Sequence, residues 1–341
     1  MEKMKAIIVG GGIISETHIE GYRARDVEIV AIVEPIKEVR ERAMERCGTA
    51  NGFETIEEAL ALKPDVASLC TPNHLHMPHA IQLLESGVNI IVEKPMARTV
   101  EECEKMIDAA EKTGKKLFVC HSQRFNPPHQ MLLKVMKQDR LGKPVMVVST
   151  FIGNEYSRMS QPNNWKCDYE HSGGGALIDN GAHMINLLLG AMGPVEYVEC
   201  IDGKILINYE HKGEDSSVVN LKFKNGAIGS LTATFVARAC TFPKDFCGAA
   251  LRTDIVGELG AVTAGNGEPA FTMVENGGAN RLEYASAADI PLNMPISAVA
   301  HFVDCLRTGA EPYVTMYDGR DTLAVIEAAY KSAREGKRIY L

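Results

Sequence analysis

The sequence has no long apolar run, no basic run and no pair of cysteines separated by two residues. Its longest apolar stretches, such as IVAIV and NIIV, are far shorter than the roughly 20 residues that a membrane-spanning helix needs, and the N-terminus lacks the apolar core of a signal peptide. A formal charge of -8 without a basic run argues against a nucleic-acid footprint. We therefore expect a soluble, cytoplasmic protein that binds a small molecule and neither a nucleic acid nor a membrane.

The cysteine pattern excludes a complete disulfide framework. Nine cysteines are scattered without a CxxC spacing, and their number is odd. We expect reduced thiols that are mostly buried. Metal ligation by Cys70, Cys120 and nearby histidines is the alternative, but the spacing matches no familiar zinc pattern, so we predict no metal site.

The length and composition are those of a chain that folds throughout. At 341 residues it exceeds what one hydrophobic core usually serves, so we expect about two domains with a ligand cleft between them. Apolar residues make up 45% and charged residues 23%, which is close to the averages for globular domains. We find no low-complexity segment and no internal repeat.

Short apolar strands alternate with helices in the first third of the chain. This alternation predicts a parallel sheet that is covered on both faces, as in a doubly wound α/β domain. The predicted strands are residues 5–9, 28–33, 66–70, 89–92 and 116–120, and the predicted helices are residues 15–25, 35–46, 76–86 and 100–112.

The rhythm changes after Pro127 and Pro128. A helix to about residue 138 leads into VMVVSTF, and the later segments VEYVECI, ILINYE, SVVNLKF, AIGSLTATFVA and TDIVG predict a largely antiparallel sheet. Further helices are predicted over 175–189, 296–307 and 319–335. We place the boundary between residues 124 and 125, which gives a doubly wound parallel sheet over 1–124 and a C-terminal α/β domain with a large open, mainly antiparallel sheet over 125–341.

The run VGGGIIS follows the first strand and opens the first helix. Gly10 and Gly12 stand where a dinucleotide fingerprint needs a tight turn and a close backbone approach to pyrophosphate, and Ser15 replaces the third glycine with another small residue. Glu34 ends the second strand, where an acid binds the ribose hydroxyls and repels a 2′-phosphate, which favours NAD over NADP. The alternative is that Glu34 only caps the helix that starts beside Pro35.

Residues directly after parallel strands border the ligand crevice, and CTPNHLH, EKP and HSQRFNP hold such positions. Lys94 follows an apolar strand and precedes a proline, so its ammonium is expected in the crevice, where it would stabilise an alkoxide or relay a proton. The alternative is an ordinary surface charge. We assign cofactor binding to Gly10, Gly12, Ile13, Ile14, Glu34, Thr71, Pro72, Asn73, His76, Glu93 and Lys94.

The segment SGGGALIDNGAHMINLLLG places Asp179 and His183 four residues apart on one predicted helix, and therefore on one face. His183 has the intrinsic pKa to exchange a hydroxyl proton, and Asp179 would orient it or accept hydrogen bonds from neighbouring hydroxyls. The alternative is a structural contact between the two. For the remaining strand-end histidines we expect hydrogen-bonded wall positions rather than proton transfer: His74, His76, His79 and His121.

The motifs GGGIIS, CTPNHLH, EKP, QRFNP and GGGALIDNGAH, in this order and at these separations, resemble those of the Gfo/Idh/MocA oxidoreductases, which include glucose-fructose oxidoreductase and inositol dehydrogenase. The resemblance covers essentially the whole chain. It implies a Rossmann domain that binds NAD, followed by an α/β domain that binds the substrate and forms oligomers.

The resemblance also implies roles for single residues. The catalytic set would be Lys94, Asp179 and His183, and the substrate-binding set would add Arg124, Trp165 and Lys166. Two departures bear on the identity of the substrate: Asn186 stands where the family commonly has Asp, and His121 lies in a segment that varies with substrate.

We therefore predict an NAD-dependent dehydrogenase that transfers a hydride between the nicotinamide and a hydroxyl-bearing carbon of a sugar, inositol or sugar derivative. His183 would be the general base, Lys94 would steady the alkoxide, and Asp179 would position the hydroxyls. Two alternatives stay open. One is a hydrolase or epimerase that keeps and recycles bound NAD, and the other is a non-enzymatic NAD-sensing regulator.

The open sheet of the second domain predicts association with other copies of the chain. One face would carry no helices of its own chain, and alternating apolar positions such as those in SLTATFVA would be buried against a second subunit. We expect a homodimer or a homotetramer.

Overall fold

The computed structural model describes residues 3–207, 210, 212–237, 249–266, 271–275, 280–284 and 294–341, with the backbone alone for 280–284. The chain divides into two compact units. The first contains residues 1–122 and 292–320, and the second contains residues 123–291 and 321–341. The functional boundary between residues 124 and 125 stays a prediction. Within the described residues, no helix has both the length and the apolar character that a membrane span requires.

The first unit is built on a six-stranded sheet in the order β3-β2-β1-β4-β5-β6, and every neighbouring pair is parallel. The inner strands are continuous apolar runs because helices cover both faces of such a sheet. The predicted Rossmann-type sheet is confirmed. Its strands are β1 Lys5–Val9, β2 Glu28–Val33, β3 Gly52–Phe53, β4 Val66–Leu69, β5 Asn89–Glu93 and β6 Leu117–Cys120.

The second unit contains a nine-stranded sheet in the order β14-β13-β12-β11-β7-β10-β9-β8-β15. Only the β7/β10 pair is parallel, so the predicted mainly antiparallel sheet is confirmed. Its strands are β7 Pro144–Gly153, β8 Val195–Gly203, β9 Ser216–Phe223, β10 Ile228–Thr234, β11 Ala249–Gly257, β12 Gly260–Gly265, β13 Phe271–Glu275, β14 Asn280–Tyr284 and β15 Ile339–Tyr340.

The helices begin and end close to the predicted residues, and local signals explain several ends. Thr99 caps α5 by accepting a hydrogen bond from the Glu102 N–H, and Gly114 ends it in the left-handed conformation. The helices are α1 Ser15–Arg23, α2 Lys37–Cys47, α3 Ile56–Leu60, α4 His76–Glu85, α5 Val100–Thr113, α6 Pro127–Lys137, α7 Tyr156–Met159, α8 Tyr169–Ser172, α9 Ala182–Met192, α10 Met294–Thr308 and α11 Met316–Glu335.

Helix α10 packs on the first unit although it lies far along the chain. Gly21 of α1 permits the approach, because a Cβ there would lie 2.5 Å from the Cβ of Val299. Phe302 stacks on Phe118 of β6 with ring centroids 4.8 Å apart. This apolar packing places residues 292–320 in the first compact unit.

Two expectations for the second unit were wrong. Residues 205–207 of ILINYE do not form a strand, because the N–H groups of Ile205, Leu206 and Ile207 all donate to one carboxylate oxygen of Asp215; residues 208 and 209 lie outside the described residues. The apolar positions of SLTATFVA are already buried inside the unit, with Leu231 and Phe235 both at 0% exposure. They face the core and not a second subunit.

The other face of the sheet carries a different apolar row. Met146 of β7 pairs in register with Ile228 of β10 and Val256 of β11, and all three side chains are exposed. Val148, two residues along β7 and therefore on the same face, is exposed as well. We call these four residues the outer apolar row.

Candidate active site

The glycine turn after β1 requires its glycines for two different reasons. Gly10 has φ +97°, and a Cβ there would lie 2.6 Å from the backbone oxygen of Cys70, so a side chain is excluded. A Cβ on Gly12 would meet nothing within 4 Å, which leaves open space in front of the first turn of α1. Ser15 is buried and donates its hydroxyl proton to the Gly12 carbonyl at 2.6 Å, so it stabilises this turn in place of the third glycine.

The Glu34 carboxylate joins the glycine turn to the start of α2. It accepts hydrogen bonds from the Gly11 N–H at 2.9 Å and from the Ile36 N–H at 3.1 Å. The second bond ties Glu34 to the residue before α2 but is not a side-chain cap of that helix, and the role of Glu34 at the ribose stays a prediction. A carboxylate has about four acceptor positions, so two are left for hydroxyl groups of a ligand.

The turns after β4 and β5 are tied together by a buried histidine. One ring nitrogen of His76 lies 2.9 Å from the Thr71 carbonyl and the other lies 3.0 Å from the Pro95 carbonyl. Burial lowers the pKa of His76. Its ring thus links the CTPN and EKP turns, which is the wall position expected from the sequence.

Together these turns fit a dinucleotide. The glycine turn leads into the N-terminus of α1, whose positive dipole end attracts anions, and Gly12 leaves the approach to it open. The Thr71 hydroxyl is a buried polar atom without a hydrogen-bond partner among the described residues. Residues Ile13 and Asn73 border the same two turns, with Ile13 at 80% exposure and Asn73 buried.

Lys94 follows β5 and is partly exposed. Its backbone N–H donates to Glu93 Oε2 at 3.1 Å, and its ammonium is among the charges that lower the pKa of Glu93. The other Glu93 oxygen lies 3.0 Å from His18 Nε2. The buried Glu93 carboxylate at the end of β5 therefore fixes the turn that carries Lys94.

In the second unit, Asp179 and His183 lie on a helix that is not regular. Residues Leu177–Gly181 form a π-helical segment, in which hydrogen bonds run from i to i+5, and α9 continues from Ala182. The helix predicted over 175–189 is present, and its first turns are π-helical rather than α-helical. Such segments widen the helix and are frequent at functional sites.

Asp179 pairs with a lysine rather than standing alone. Lys166 Nζ lies 3.1 Å from Asp179 Oδ1 and 3.3 Å from Oδ2, and Asp179 is 8% exposed. His183 is partly exposed and stacks on Phe151 of β7, with ring centroids 6.0 Å apart and planes 13° apart. The structure thus brings the predicted Lys166 and Asp179 into contact within this unit.

The turn that carries Trp165 and Lys166 is held at two points. The Asn164 side chain accepts a hydrogen bond from the Lys166 N–H at 3.0 Å, and Cys167 is buried in a core cluster with Met159 and Phe235. Trp165 itself is partly exposed. The hydrogen bond from the Lys166 N–H to Asn164 therefore fixes the backbone from which the Lys166 side chain reaches Asp179.

Sequence reasoning missed the groups that fix the start of the Asp179 segment. The Glu214 carboxylate accepts hydrogen bonds from the N–H groups of Gly175 and Leu177 at 2.9 and 2.7 Å and from the Tyr330 hydroxyl at 3.1 Å. A Cβ on Gly175 would lie 1.7 Å from the Glu214 backbone oxygen, and one on Gly174 would lie 2.2 Å from the Tyr330 hydroxyl. The glycine run is the one signal of this close packing in the sequence.

Arg124 packs on α9. Its guanidinium lies 3.3 and 3.4 Å from the backbone and side-chain oxygens of Asn186, and Gly190 leaves the space that it fills. Asn186 also donates to the Thr322 hydroxyl at 3.0 Å. Asn186, which stands where the family commonly has Asp, therefore binds the Arg124 guanidinium through neutral oxygens and not through a carboxylate.

The described cysteines are free thiols, and all except Cys47 are buried; Cys240 and Cys247 lie outside the described residues. One cluster in the described part of the chain combines residue types that bind metals: His18, Glu93 and Cys120. Both ring nitrogens of His18 already have hydrogen-bond partners, Ser68 and Glu93. We therefore describe this cluster as a hydrogen-bonded network.

Two family models match the chain. One, described as an oxidoreductase family with an NAD-binding Rossmann fold, matches residues 4–121, and the other, described as the C-terminal alpha/beta domain of that oxidoreductase family, matches residues 134–341. With the parallel sheet and the glycine turn, they define an NAD-binding oxidoreductase. The chain belongs to the Gfo/Idh/MocA family, which confirms the predicted family, fold class and NAD cofactor.

Several similar proteins carry names of activities. D-glucoside 3-dehydrogenase of Escherichia coli is 32% identical over 192 residues, which are 55% of this chain and 53% of that protein, so the match spans about half of that relative. Myo-inositol 2-dehydrogenase of Thermotoga maritima is 24% identical over 99% of this chain and 98% of its own. The WlbA dehydrogenase of Bordetella pertussis, solved in complex with NADH and UDP-GlcNAcA, has a TM-score of 0.84 at 27% identity, covering 100% and 99% of the two chains.

Replacing Glu34 with Gln tests the cofactor preference. The change keeps the size but removes the charge that repels a 2′-phosphate, so we expect NAD affinity to fall about tenfold or more and the preference for NAD over NADP to shrink. Calorimetric titration with both cofactors measures this, with the exposed Glu45→Gln of α2 as control. Wild-type protein that binds NADP at least as tightly as NAD contradicts the assignment.

Glu214 predicts a pH dependence of stability. Burial raises its pKa to about 7, from an ordinary value of 4.5, and the hydrogen bonds from the Leu177 N–H and the Tyr330 hydroxyl offset only part of this effect. A raised folded pKa adds stability below about pH 4.5 that is lost as the pH rises through about 7. Relative to Glu214→Gln, the wild-type free energy of unfolding should fall over this window by up to about 3 kcal/mol.

Chemical denaturation of both proteins at several pH values measures this difference. The exposed Glu258→Gln serves as the control and should run parallel to the wild type. A difference between wild type and Glu214→Gln that stays constant from pH 4.5 to 7 would show that Glu214 does not titrate in this range.

Proposed function

We propose that this oxidoreductase is an NAD-dependent dehydrogenase that acts on a hydroxyl-bearing carbon of a sugar, an inositol or a sugar derivative. The observation that carries the proposal is the pairing of Lys166 with the buried Asp179 on the segment that also presents the partly exposed His183. This supplies a hydrogen-bonding charge pair and a base for a hydroxylated ligand. The names of the relatives, a glucoside and an inositol dehydrogenase, support the same substrate class.

When bound, NAD supplies the hydride-transfer chemistry. We propose that His183 accepts the proton of the reacting hydroxyl and that Lys94 stabilises the resulting oxyanion and shares the proton. Asp179, held by Lys166, would accept hydrogen bonds from adjacent hydroxyls and so select a polyhydroxylated substrate. Phe151, stacked on the His183 ring, restricts the orientation of this base.

The cofactor and substrate sets from the sequence complete the proposal. Three turns would hold the dinucleotide, and Glu34 would bind its adenosine ribose. These turns carry Gly10, Gly12, Ile13 and Ile14; Thr71, Pro72, Asn73 and His76; and Glu93. Trp165 and Arg124 would line the substrate site. The boundary between residues 124 and 125 separates these two roles.

Lys94→Ala and His183→Ala test the catalytic roles. Each should lower turnover by about a hundredfold to ten-thousandfold, because each removes a proton-handling group, while NAD affinity stays near that of the wild type. The double variant should lose less than the product of the single losses, as expected for residues that act as one unit.

Steady-state rates of NADH formation and fluorescence titration with NAD measure both quantities. The exposed Lys112→Ala on α5 is the control for loss of a lysine and should keep wild-type turnover. Near-normal turnover of His183→Ala on the best substrate would assign this histidine a structural role and overturn the mechanism.

We also infer a cytoplasmic homodimer or homotetramer. The free thiols of the described cysteines support a reducing compartment. The outer apolar row, Met146, Val148, Ile228 and Val256, supports association, because contiguous exposed apolar side chains on a sheet mark an interaction surface.

A lysine in the outer apolar row should weaken association. We expect wild-type protein to be dimeric or tetrameric in light scattering, and Ile228→Lys to shift it towards the monomer, because an interface would bury this charge. Ile205→Lys, at an exposed position outside the described strands, is the control. A monomeric wild type at micromolar concentration contradicts the inference.

A further inference from the structure

A chain of buried polar side chains lies behind the turn that presents Lys94. The hydroxyl of Ser68 donates to the Tyr22 hydroxyl at 2.8 Å, His18 Nδ1 lies 2.8 Å from Ser68 Oγ, and His18 Nε2 lies 3.0 Å from Glu93 Oε1. His18 and Ser68 are 0% exposed, and Glu93 is 8% exposed. The chain ends at Glu93, whose other carboxylate oxygen, Oε2, accepts from the Lys94 N–H.

The hydrogen-bond directions indicate how His18 is protonated. Since Ser68 gives its proton to Tyr22, its oxygen is an acceptor towards His18 Nδ1. An ionised Glu93 is an acceptor towards Nε2, so both ring nitrogens must carry protons. The ring is then an imidazolium that compensates the Glu93 charge inside the protein.

The electrostatics of the two partners agree. Burial lowers the pKa of His18. The interactions with Cys70, Cys120 and Glu93 raise it by more than burial lowers it, so the pKa lies well above its ordinary value. Burial also opposes ionisation of Glu93, yet the hydrogen bond and charge of His18, together with the Lys94 ammonium, lower its pKa. Burial raises the pKa of Cys120 to about 12, so this neighbouring thiol is neutral at working pH.

We propose that His18 is a positioning residue that keeps the buried Glu93 ionised, so that Glu93 fixes the turn and the charge environment of Lys94. The inference rests on the proposed function of Lys94. An ionised Glu93 accepts from His18 and from the Lys94 N–H at once; a protonated one would offer the lysine turn a weaker acceptor and no negative charge. His18 thus acts on the reaction through Glu93, without touching the substrate.

His18→Asn separates this role from simple packing. Without the imidazolium, burial should raise the pKa of Glu93, so its carboxylate would be lost as the pH falls through a higher value than in the wild type. In a plot of kcat against pH, the acidic limb should therefore move to higher pH by about one unit or more. At a fixed pH on that limb, each unit of this shift lowers kcat about tenfold. His171→Asn, which removes an exposed histidine of the second unit, is the control and should leave the limb in place.

Two measurements complete the test. Infrared titration of the carboxyl band that Glu93→Gln removes should show Glu93 titrating at higher pH in His18→Asn, and it requires no turnover. In the Glu93→Gln background, His18→Asn should shift the acidic limb no further. His18→Gln serves if His18→Asn does not fold, as judged by circular dichroism.

The outcomes are distinct. A Glu93 band that titrates as in the wild type, or one that moves while the acidic limb stays, overturns the inference. A moved band in a protein that oxidises no sugar or polyol supports the pairing of His18 with Glu93 and overturns the proposed function instead.

Discussion

Carboxylates that accept hydrogen bonds from backbone N–H groups hold the functional segments of both units. Glu34 joins the glycine turn to α2, Glu93 fixes the N–H of Lys94, and Glu214 accepts from the two N–H groups that precede Asp179. Loops that carry ligand-binding residues have few backbone partners of their own, and charge-assisted bonds of this kind are about twice as strong as neutral ones. The glycine turn, the Lys94 turn and the start of the Asp179 segment therefore each depend on one acidic side chain.

The three carboxylates, Glu34, Glu93 and Glu214, differ in the groups that compensate their negative charge. This difference determines how readily each of them is protonated. Glu34 is partly exposed to water, whereas Glu93 is buried beside His18 and near the Lys94 ammonium, which lower its pKa. Glu214 is buried with N–H and hydroxyl donors, and burial raises its pKa to about 7. Donors without a full positive charge compensate a buried carboxylate less well than a cation does. The turn of Lys94 is therefore held by an ion pair, and the Asp179 segment by a group that titrates near neutral pH.

The sequence predicted what depends on local patterns and missed what depends on distant partners. Apolar runs and glycine positions predicted the parallel sheet, Glu34 and the strand-end Lys94. The partners of Glu214 and Glu93 are far apart in sequence, Tyr330 by 116 residues and His18 by 75, and no local pattern marks them. Alternation in SLTATFVA shows two faces of a strand but not which one is covered, and the π-helical segment of Asp179 depends on a hydrogen-bond offset that residue types do not reveal.

We infer that this family member oxidises a hydroxyl of a sugar or polyol while it reduces NAD. The decisive experiment offers the wild-type protein NAD and a panel of sugars, inositols and sugar nucleotides and follows NADH formation by its absorbance. We expect steady NADH formation with at least one compound of the panel. Protein that binds NAD, yet forms no NADH with any of them, would contradict it.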